Sequence, residues 1–236
     1  MKLFRSTVLP RVASVRGAAA AAAAALLLSS CGSTAPGVAA EVEGQRITDQ
    51  QVDDFAEVLC AIGGVQGSES GVPTRSARFT SLQILFTNQL AEDAADVDAV
   101  SQTSVASILQ GMAAARDLLS ADQQETFDDV AKDFARAQTA TLELGRQSLI
   151  DAGQPSAKIG DDAAYAEGQR LLAKYAADAD VEVDPRFGEL VDGSLQPGNG
   201  SLSVPVSDLA VKADDPQAGE AFVSLLPASQ KCAPAS

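Results

Sequence analysis

Apolar residues recur every three or four positions through most of the chain between residues 48 and 177, which is the spacing of one face of an α-helix. Glycine, proline and clusters of small polar residues interrupt this periodicity. The pattern therefore predicts five successive helices. Their approximate ranges are 48–62, 74–94, 98–119, 120–149 and 162–177. The first and fourth open with a capping box, formed by Thr48 with Gln51 and by Ser120 with Gln123.

Two short segments on either side of the helices have the character of strands. Residues 38–47 contain the turn-forming pair Glu43-Gly44 and predict a short strand or hairpin. Residues 181–183 alternate between apolar and polar side chains and stop before Pro185. We therefore expect a mostly α domain over residues 38–188, with five helices clasped by the pairing of its N- and C-terminal strands.

Regular patterning weakens after Gly188. Glycine, serine and proline are frequent, particularly over residues 195–206, although residues 218–226 are compatible with a short helix. Residues 189–236 are thus expected to form a tail. Cys60 and Cys232 are the two cysteines that follow residue 31, and in an exported protein such a pair favours one disulfide that would tie this tail to the first helix. The alternative is two buried, unpaired thiols.

The N-terminus combines a basic start with an apolar run over residues 17–28, followed by Leu28-Ser29-Ser30-Cys31. Twelve apolar residues fall well short of the roughly 20 that a transmembrane helix needs. The segment instead resembles the signal peptide and lipobox of bacterial lipoproteins. This resemblance implies removal of residues 1–30, diacylation of Cys31, a linker over residues 31–37 and a lipid anchor on the outer face of the cell membrane.

The chain is strongly acidic, with 32 acidic residues against 17 basic ones. Without residues 1–30, which hold four of the basic residues and none of the acidic ones, 13 basic residues remain against 32 acidic, a net charge of −19. Such a charge repels phosphate backbones and anionic lipid headgroups. It argues against nucleic acid as a partner and leaves membrane attachment to the lipid.

Catalytic patterns are scarce, because the chain contains no histidine. The commonest base for a nucleophilic serine or cysteine and the usual imidazole ligand of zinc are therefore missing. Five acidic residues match the spacing of a calcium-binding loop, but the position that requires glycine is Val183 and the segment fits a strand better. Those residues are Asp178, Asp180, Glu182, Asp184 and Glu189. We expect no cofactor, no metal and no enzymatic activity.

Two segments resemble the ends of the N-terminal chaperone module of the SurA and PrsA family of exported folding factors. They are Val42-Glu43-Gly44-Gln45-Arg46-Ile47-Thr48, and the run from Ala177 to Gly188 that includes Val181-Glu182-Val183-Asp184-Pro185-Arg186-Phe187. The resemblance extends over residues 38–188 and implies a fold in which a late strand returns to the first. That family often carries a parvulin-type prolyl isomerase domain before the last helix, whereas here only residues 151–161 separate the fourth and fifth helices.

The resemblance implies a membrane-anchored lipoprotein that binds unfolded or nascent exported polypeptides. The alternative is a non-catalytic scaffold that binds one folded partner. The second helix is apolar around more than one face, which suits either a binding groove or a helix packed on two sides in the core. The residues concerned are Phe79, Leu82, Ile84, Leu85 and Phe86. We assign no peptide-binding residue from the sequence.

Overall fold

The computed structural model describes residues 35–65, 72–95, 97, 99–197 and 219–232. The predicted signal peptide, Cys31 and residues 32–34 of the predicted linker lie outside the described residues. The fold is mostly α, as the sequence predicts. Within the described residues, no helix combines the length and the apolar content needed to cross a bilayer.

The described helices and strands follow one another along the chain in a simple order. They are β1 (Val38–Val42), β2 (Gln45–Thr48), α1 (Asp49–Val65), β3 (Val72–Pro73), α2 (Thr74–Ala94), α3 (Gln102–Arg116), α4 (Ala121–Asp151), α5 (Asp161–Asp178), β4 (Val181–Val183), β5 (Glu189–Val191), β6 (Ser194–Gln196), α6 (Gly219–Leu225) and β7 (Lys231–Cys232).

The first sheet has the order β2-β1-β4 and is antiparallel throughout. Strand β1 pairs with β2 through a tight turn in which Glu43 and Gly44 have φ of 47° and 83°. On its other side β1 pairs with β4, so that Ala40 lies opposite Val183. The predicted pairing of the two terminal strands is therefore confirmed, and it brings residues about 140 positions apart into one sheet.

Helix α2 runs through the middle of the domain. Leu82 and Phe86 on one side join the main apolar core beneath the sheet, together with Val42 and Val52. Ile84 packs on a second cluster that α1, α3 and α4 share. Of the two interpretations left open by the sequence, two-sided packing in the core therefore describes most of α2.

Helices α4 and α5 form the most extensive helix pair of the fold. Gly145 and Gly168 lie at the point of closest approach, where a Cβ atom on either residue would collide with the backbone of the opposite helix. Only nine residues, 152–160, connect the two helices. A connection of this length is far too short to contain a folded domain.

Three helix boundaries differ from the predictions by three residues or more. Helix α1 continues through Gly63-Gly64 to Val65, because two glycines near a helix end weaken it without ending it. Helix α3 begins at Gln102, because the Ser101 side chain accepts a hydrogen bond from the Ser104 N–H and caps it there. It ends at Arg116, before the predicted position 119.

Strands β5 and β6 form a hairpin within the segment predicted to be an irregular tail. Its turn is Asp192-Gly193, and both residues have positive φ. Leu195 from this hairpin is buried in the main core. The globular domain therefore extends beyond residue 188, whereas residues 198–218 of the predicted tail lie outside the described residues.

Candidate functional site

A groove lies where the first turns of α2, the turn after β4 and the C-terminal segment from α6 to β7 meet. It has a volume of about 430 Å³. Its lining combines large apolar side chains with arginines and small polar groups. The lining residues are Pro73, Thr74, Arg75, Ser76, Arg78, Phe79, Arg186, Phe187, Phe222, Leu226, Ser229 and Gln230.

The start of α2 forms the first wall. Pro73 precedes the helix with extended backbone angles, and no side chain caps the first free N–H groups. The positive end of the helix dipole therefore faces this region without an acidic residue in its first turn. Helical spacing places Arg75, Arg78 and Phe79 on neighbouring positions of the same side.

The second wall is the turn that follows β4. The Asp184 carboxylate accepts a hydrogen bond from the Arg186 backbone N–H at 2.8 Å, and the Phe187 N–H donates to the Asp184 carbonyl at 2.9 Å. Pro185 fits this tight turn because its φ is already restricted. The turn buries Phe187 against the main core while the Arg186 side chain stays half exposed.

The C-terminal segment supplies the third wall, with Phe222 and Leu226. Strand β7 pairs with β3, and Cys232 forms a disulfide with Cys60 of α1 across a Cα–Cα distance of 5.1 Å. The disulfide lies in a small apolar cluster with Ala56 and Ala77. The structure thus brings together the two cysteines paired in the sequence analysis and uses them to hold one wall of the groove.

Among the residues that the structure describes, the lining contains three arginines and no acidic residue, on a chain whose net charge is −15. Arg78 donates from Nε to Asp53, and Arg186 donates to Asp184 and, at 3.0 Å, to Asp49. These three carboxylates lie outside the lining. A guanidinium has five N–H donors, and these ion pairs do not use all of them. No hydrogen bond to the described residues is made by either Nη atom of Arg78 or by Nη1 of Arg186.

Both guanidinium groups also lie against the Phe187 ring. The Cζ atom of Arg78 is 4.7 Å from the ring centroid, and that of Arg186 is 5.6 Å away. Both distances fall within the range of cation–π attraction. The aromatic ring therefore helps to hold two positive charges at one edge of the groove.

The Arg186 ion pair stays charged over a wide pH range. Burial alone would raise the pKa of Asp184, but hydrogen bonds from the Arg186 side chain and backbone outweigh burial and hold that pKa below its ordinary value. The bond to Asp184 in turn raises the pKa of Arg186. The turn that presents Phe187 is consequently stabilised electrostatically as well as by packing.

The acidic residues that match a calcium-loop spacing have other places in the structure. Glu182 belongs to β4, Asp184 pairs with Arg186, and Glu189 begins β5. Across the described ranges, no three histidine, cysteine or acidic side chains are placed to hold a metal ion.

The groove residues are not among the functional residues predicted from the sequence. Arg75, Arg78 and Phe79 sit in a short stretch, residues 74–79, that contains two arginines and no acid within a very acidic chain, and this local reversal of charge was the available signal. No such signal marks Phe222, because its role depends on the disulfide that returns the tail to α1.

Comparison of the chain with family models, with curated proteins and with solved structures found no match.

Proposed function

We propose that this chain is a non-enzymatic, lipid-anchored binding protein that acts on the outer side of the cell membrane and holds segments of unfolded exported polypeptides. The groove would receive one or two apolar side chains from an extended segment. The resemblance of residues 42–48 and 177–188 to the SurA and PrsA chaperone module supports this assignment.

The observation that carries the proposal is the apolar interior of the groove. Phe79, Phe187, Phe222 and Leu226 come from three separate parts of the chain and line one cavity of about 430 Å³. Concave sites of this size, lined mostly by apolar and aromatic side chains with a few polar groups, are typical of ligand-binding sites. The cavity is large enough for an aromatic or aliphatic side chain and its immediate neighbours.

Photocrosslinking in intact cells tests the location and the class of partner together. A photoreactive phenylalanine analogue at Ser76, an exposed lining residue, should yield adducts, whereas the same analogue at Gln110, exposed on α3 away from the groove, should not. A broad distribution of adduct masses at position 76 is expected for a chaperone. Equal crosslinking at both positions would exclude the groove as the binding site.

An aggregation assay tests the activity itself. The mature protein in phosphatidylcholine nanodiscs should slow the aggregation of a chemically denatured secreted protein, and replacement of Phe222 by Ser should weaken this effect because it removes one apolar wall. Empty nanodiscs provide the blank. No delay at a severalfold molar excess of the protein would rule out chaperone activity.

A scaffold that binds one folded partner is the second candidate function. It is favoured by the small number of large apolar side chains that the described part of the chain exposes. These are Leu118, Ile150, Val191 and Leu225, and they come from different elements or loops. A single dominant adduct at position 76 in the crosslinking experiment would select the scaffold over the chaperone.

A further inference from the structure

We infer that the groove selects polypeptide segments in which an apolar residue is flanked by carboxylates. This inference rests on the proposed polypeptide binding and adds a chemical preference to it. Phe79, Phe187 and Phe222 line the groove together with Arg75, Arg78 and Arg186. The guanidinium groups of Arg78 and Arg186 meet at the Phe187 ring.

The charge of the groove lining differs from that of the chain as a whole. The chain has almost twice as many acidic as basic residues, yet the described residues that line this groove include three arginines and no carboxylate. An anionic segment that approaches the molecule elsewhere meets mainly negative charge. Charge complementarity therefore favours an acidic segment over a basic one at this site.

Arg78 and Arg186 keep N–H donors that their ion pairs do not use. The Nε atom of Arg78 is occupied by Asp53, while both its Nη atoms lack a hydrogen bond to the described residues. Nη1 of Arg186 also lacks a hydrogen bond to the described residues. Arginine N–H groups form short, charge-assisted hydrogen bonds with carboxylates, which are stronger than those with neutral acceptors. The two guanidiniums can therefore bind a carboxylate without giving up their existing ion pairs.

The guanidinium groups of Arg78 and Arg186 are already held in place by contacts within the protein. The Cζ atoms of Arg78 and Arg186 lie 4.7 and 5.6 Å from the centroid of the Phe187 ring. Each guanidinium also forms an ion pair within the protein, with Asp53 and Asp184 respectively. Less side-chain freedom is lost when groups that are already held in place bind a ligand. The apolar side chain of the segment would fill the cavity while its neighbouring carboxylate meets the arginines.

The test uses three peptides of equal length that share a central Leu-Phe pair and differ only in the flanking residues, which are Glu, Gln or Lys. Binding is measured by fluorescence anisotropy to the mature, disulfide-bonded protein in phosphatidylcholine nanodiscs. We expect the Glu peptide to bind about tenfold more tightly than the Gln peptide, and the Lys peptide to bind most weakly. Added salt should reduce these differences.

Matched variants locate the preference. Arg78→Gln should reduce the Glu-over-Gln preference to less than about threefold. Arg116→Gln is the control, because it removes the same charge from a comparably exposed ion pair, with Asp128, outside the groove. Arg116→Gln should leave the preference unchanged. Arg75→Gln provides a second groove variant if Arg78→Gln does not fold.

The outcomes separate the two proposals. Equal affinity for the Glu, Gln and Lys peptides would overturn the charge preference and leave polypeptide binding standing. Binding of none of the peptides above the level of empty nanodiscs would overturn polypeptide binding as well. If decanoate saturates the groove and no peptide binds, the groove is a fatty-acid site. If the protein self-associates and Arg78→Gln abolishes this, the groove binds a second copy of the chain. Either result would overturn both the charge preference and polypeptide binding.

Discussion

At the residue scale, Gly145 and Gly168 set the distance between α4 and α5. A Cβ atom on Gly145 would collide with the carbonyl of Ala164 and the backbone nitrogen of Gly168, and one on Gly168 would collide with the carbonyl of Thr141. Backbone atoms cannot rotate away as a flexible side chain can. The two helices can therefore pack this closely only if both positions lack a side chain.

We predict that Gly145→Ala lowers the free energy of unfolding by about 1–3 kcal/mol, because the added methyl group forces the helices apart. Gly111→Ala is the matched control, since Gly111 lies in α3 with no atom within 4 Å of the added Cβ. That substitution should raise the free energy of unfolding by about 0.5–1 kcal/mol through helix propensity. Urea denaturation followed by circular dichroism measures both, and effects of the same sign would contradict the account.

Glu167 connects α5 to α4 through hydrogen bonds to its carboxylate. The bond from Arg170 and then that from Ser148 lower its pKa from 4.5 to about 2. A group whose pKa is lower in the folded state stabilises that state above its unfolded pKa, and the contribution disappears as pH falls through the folded pKa.

Replacement of Glu167 by Gln should consequently lower the Tm at pH 7, and the difference from the original protein should shrink between about pH 4.5 and pH 2. Thermal unfolding across a pH series measures this change. Ser148→Ala should produce a smaller effect with the same pH dependence, because the larger contribution of Arg170 remains. A Tm difference that stays constant down to pH 2 would show that the Glu167 pKa is not lowered.

At the scale of elements, the disulfide decides where the C-terminal segment lies. Cys60 and Cys232 are 172 positions apart, and the bond holds β7 beside β3 so that Phe222 and Leu226 face α2. The strands β3 and β7 have only two residues each. Such short strands provide few hydrogen bonds, so we attribute the position of the segment mainly to the covalent bond.

The double variant Cys60→Ala with Cys232→Ala should therefore lose about 2–4 kcal/mol of stability and release the C-terminal segment. Helices α1 to α5 should keep their circular dichroism signal, because their apolar clusters do not depend on the tail. Limited proteolysis should then cleave within residues 219–232, whereas the disulfide-bonded protein resists. A tail that remains equally resistant in the variant would show that packing alone holds it.

The β5–β6 hairpin could not be predicted from the sequence, because its strands are too short. Its Asp192-Gly193 turn is a strong local hairpin signal, but the strands on either side have only three residues each. Periodicity over three residues is too weak to predict a strand. Leu195 becomes recognisable as a core residue only once α2 and α5 are seen to leave space for it.

At the scale of the whole molecule, the prediction with the widest consequence concerns Cys31. If the segment ending in Leu28-Ser29-Ser30-Cys31 is a lipobox, Cys31→Ser should leave the chain unprocessed and without a diacylated N-terminus. Ser30→Ala is the control, since a small residue before the cysteine is retained. Mass spectrometry of the membrane fraction measures both, and recovery of the unsubstituted chain from the cytosol with residues 1–30 attached would exclude lipid anchoring.

The sequence by itself determined the mostly α fold, the approximate span of five helices and the pairing of the two terminal strands. The helices and the extended character of the two terminal segments follow from local periodicity, caps and turn residues, which act over a few positions along the chain. The pairing of these segments was inferred from the order of the elements and from their resemblance to the ends of the SurA and PrsA module. The pairing of Cys60 with Cys232 was also inferred from the sequence, but as one of two alternatives.

Only the tertiary structure decided which apolar residues of α2 are core and which line a groove, and only it placed Phe222 beside Phe79 and Phe187. The groove is assembled from three segments that are distant in the sequence, at residues 73–79, 186–187 and 222–230, so no local pattern describes it. Arg78 and Arg186 meet at the Phe187 ring for the same reason, because the distance between them depends on how α2 packs against the turn after β4.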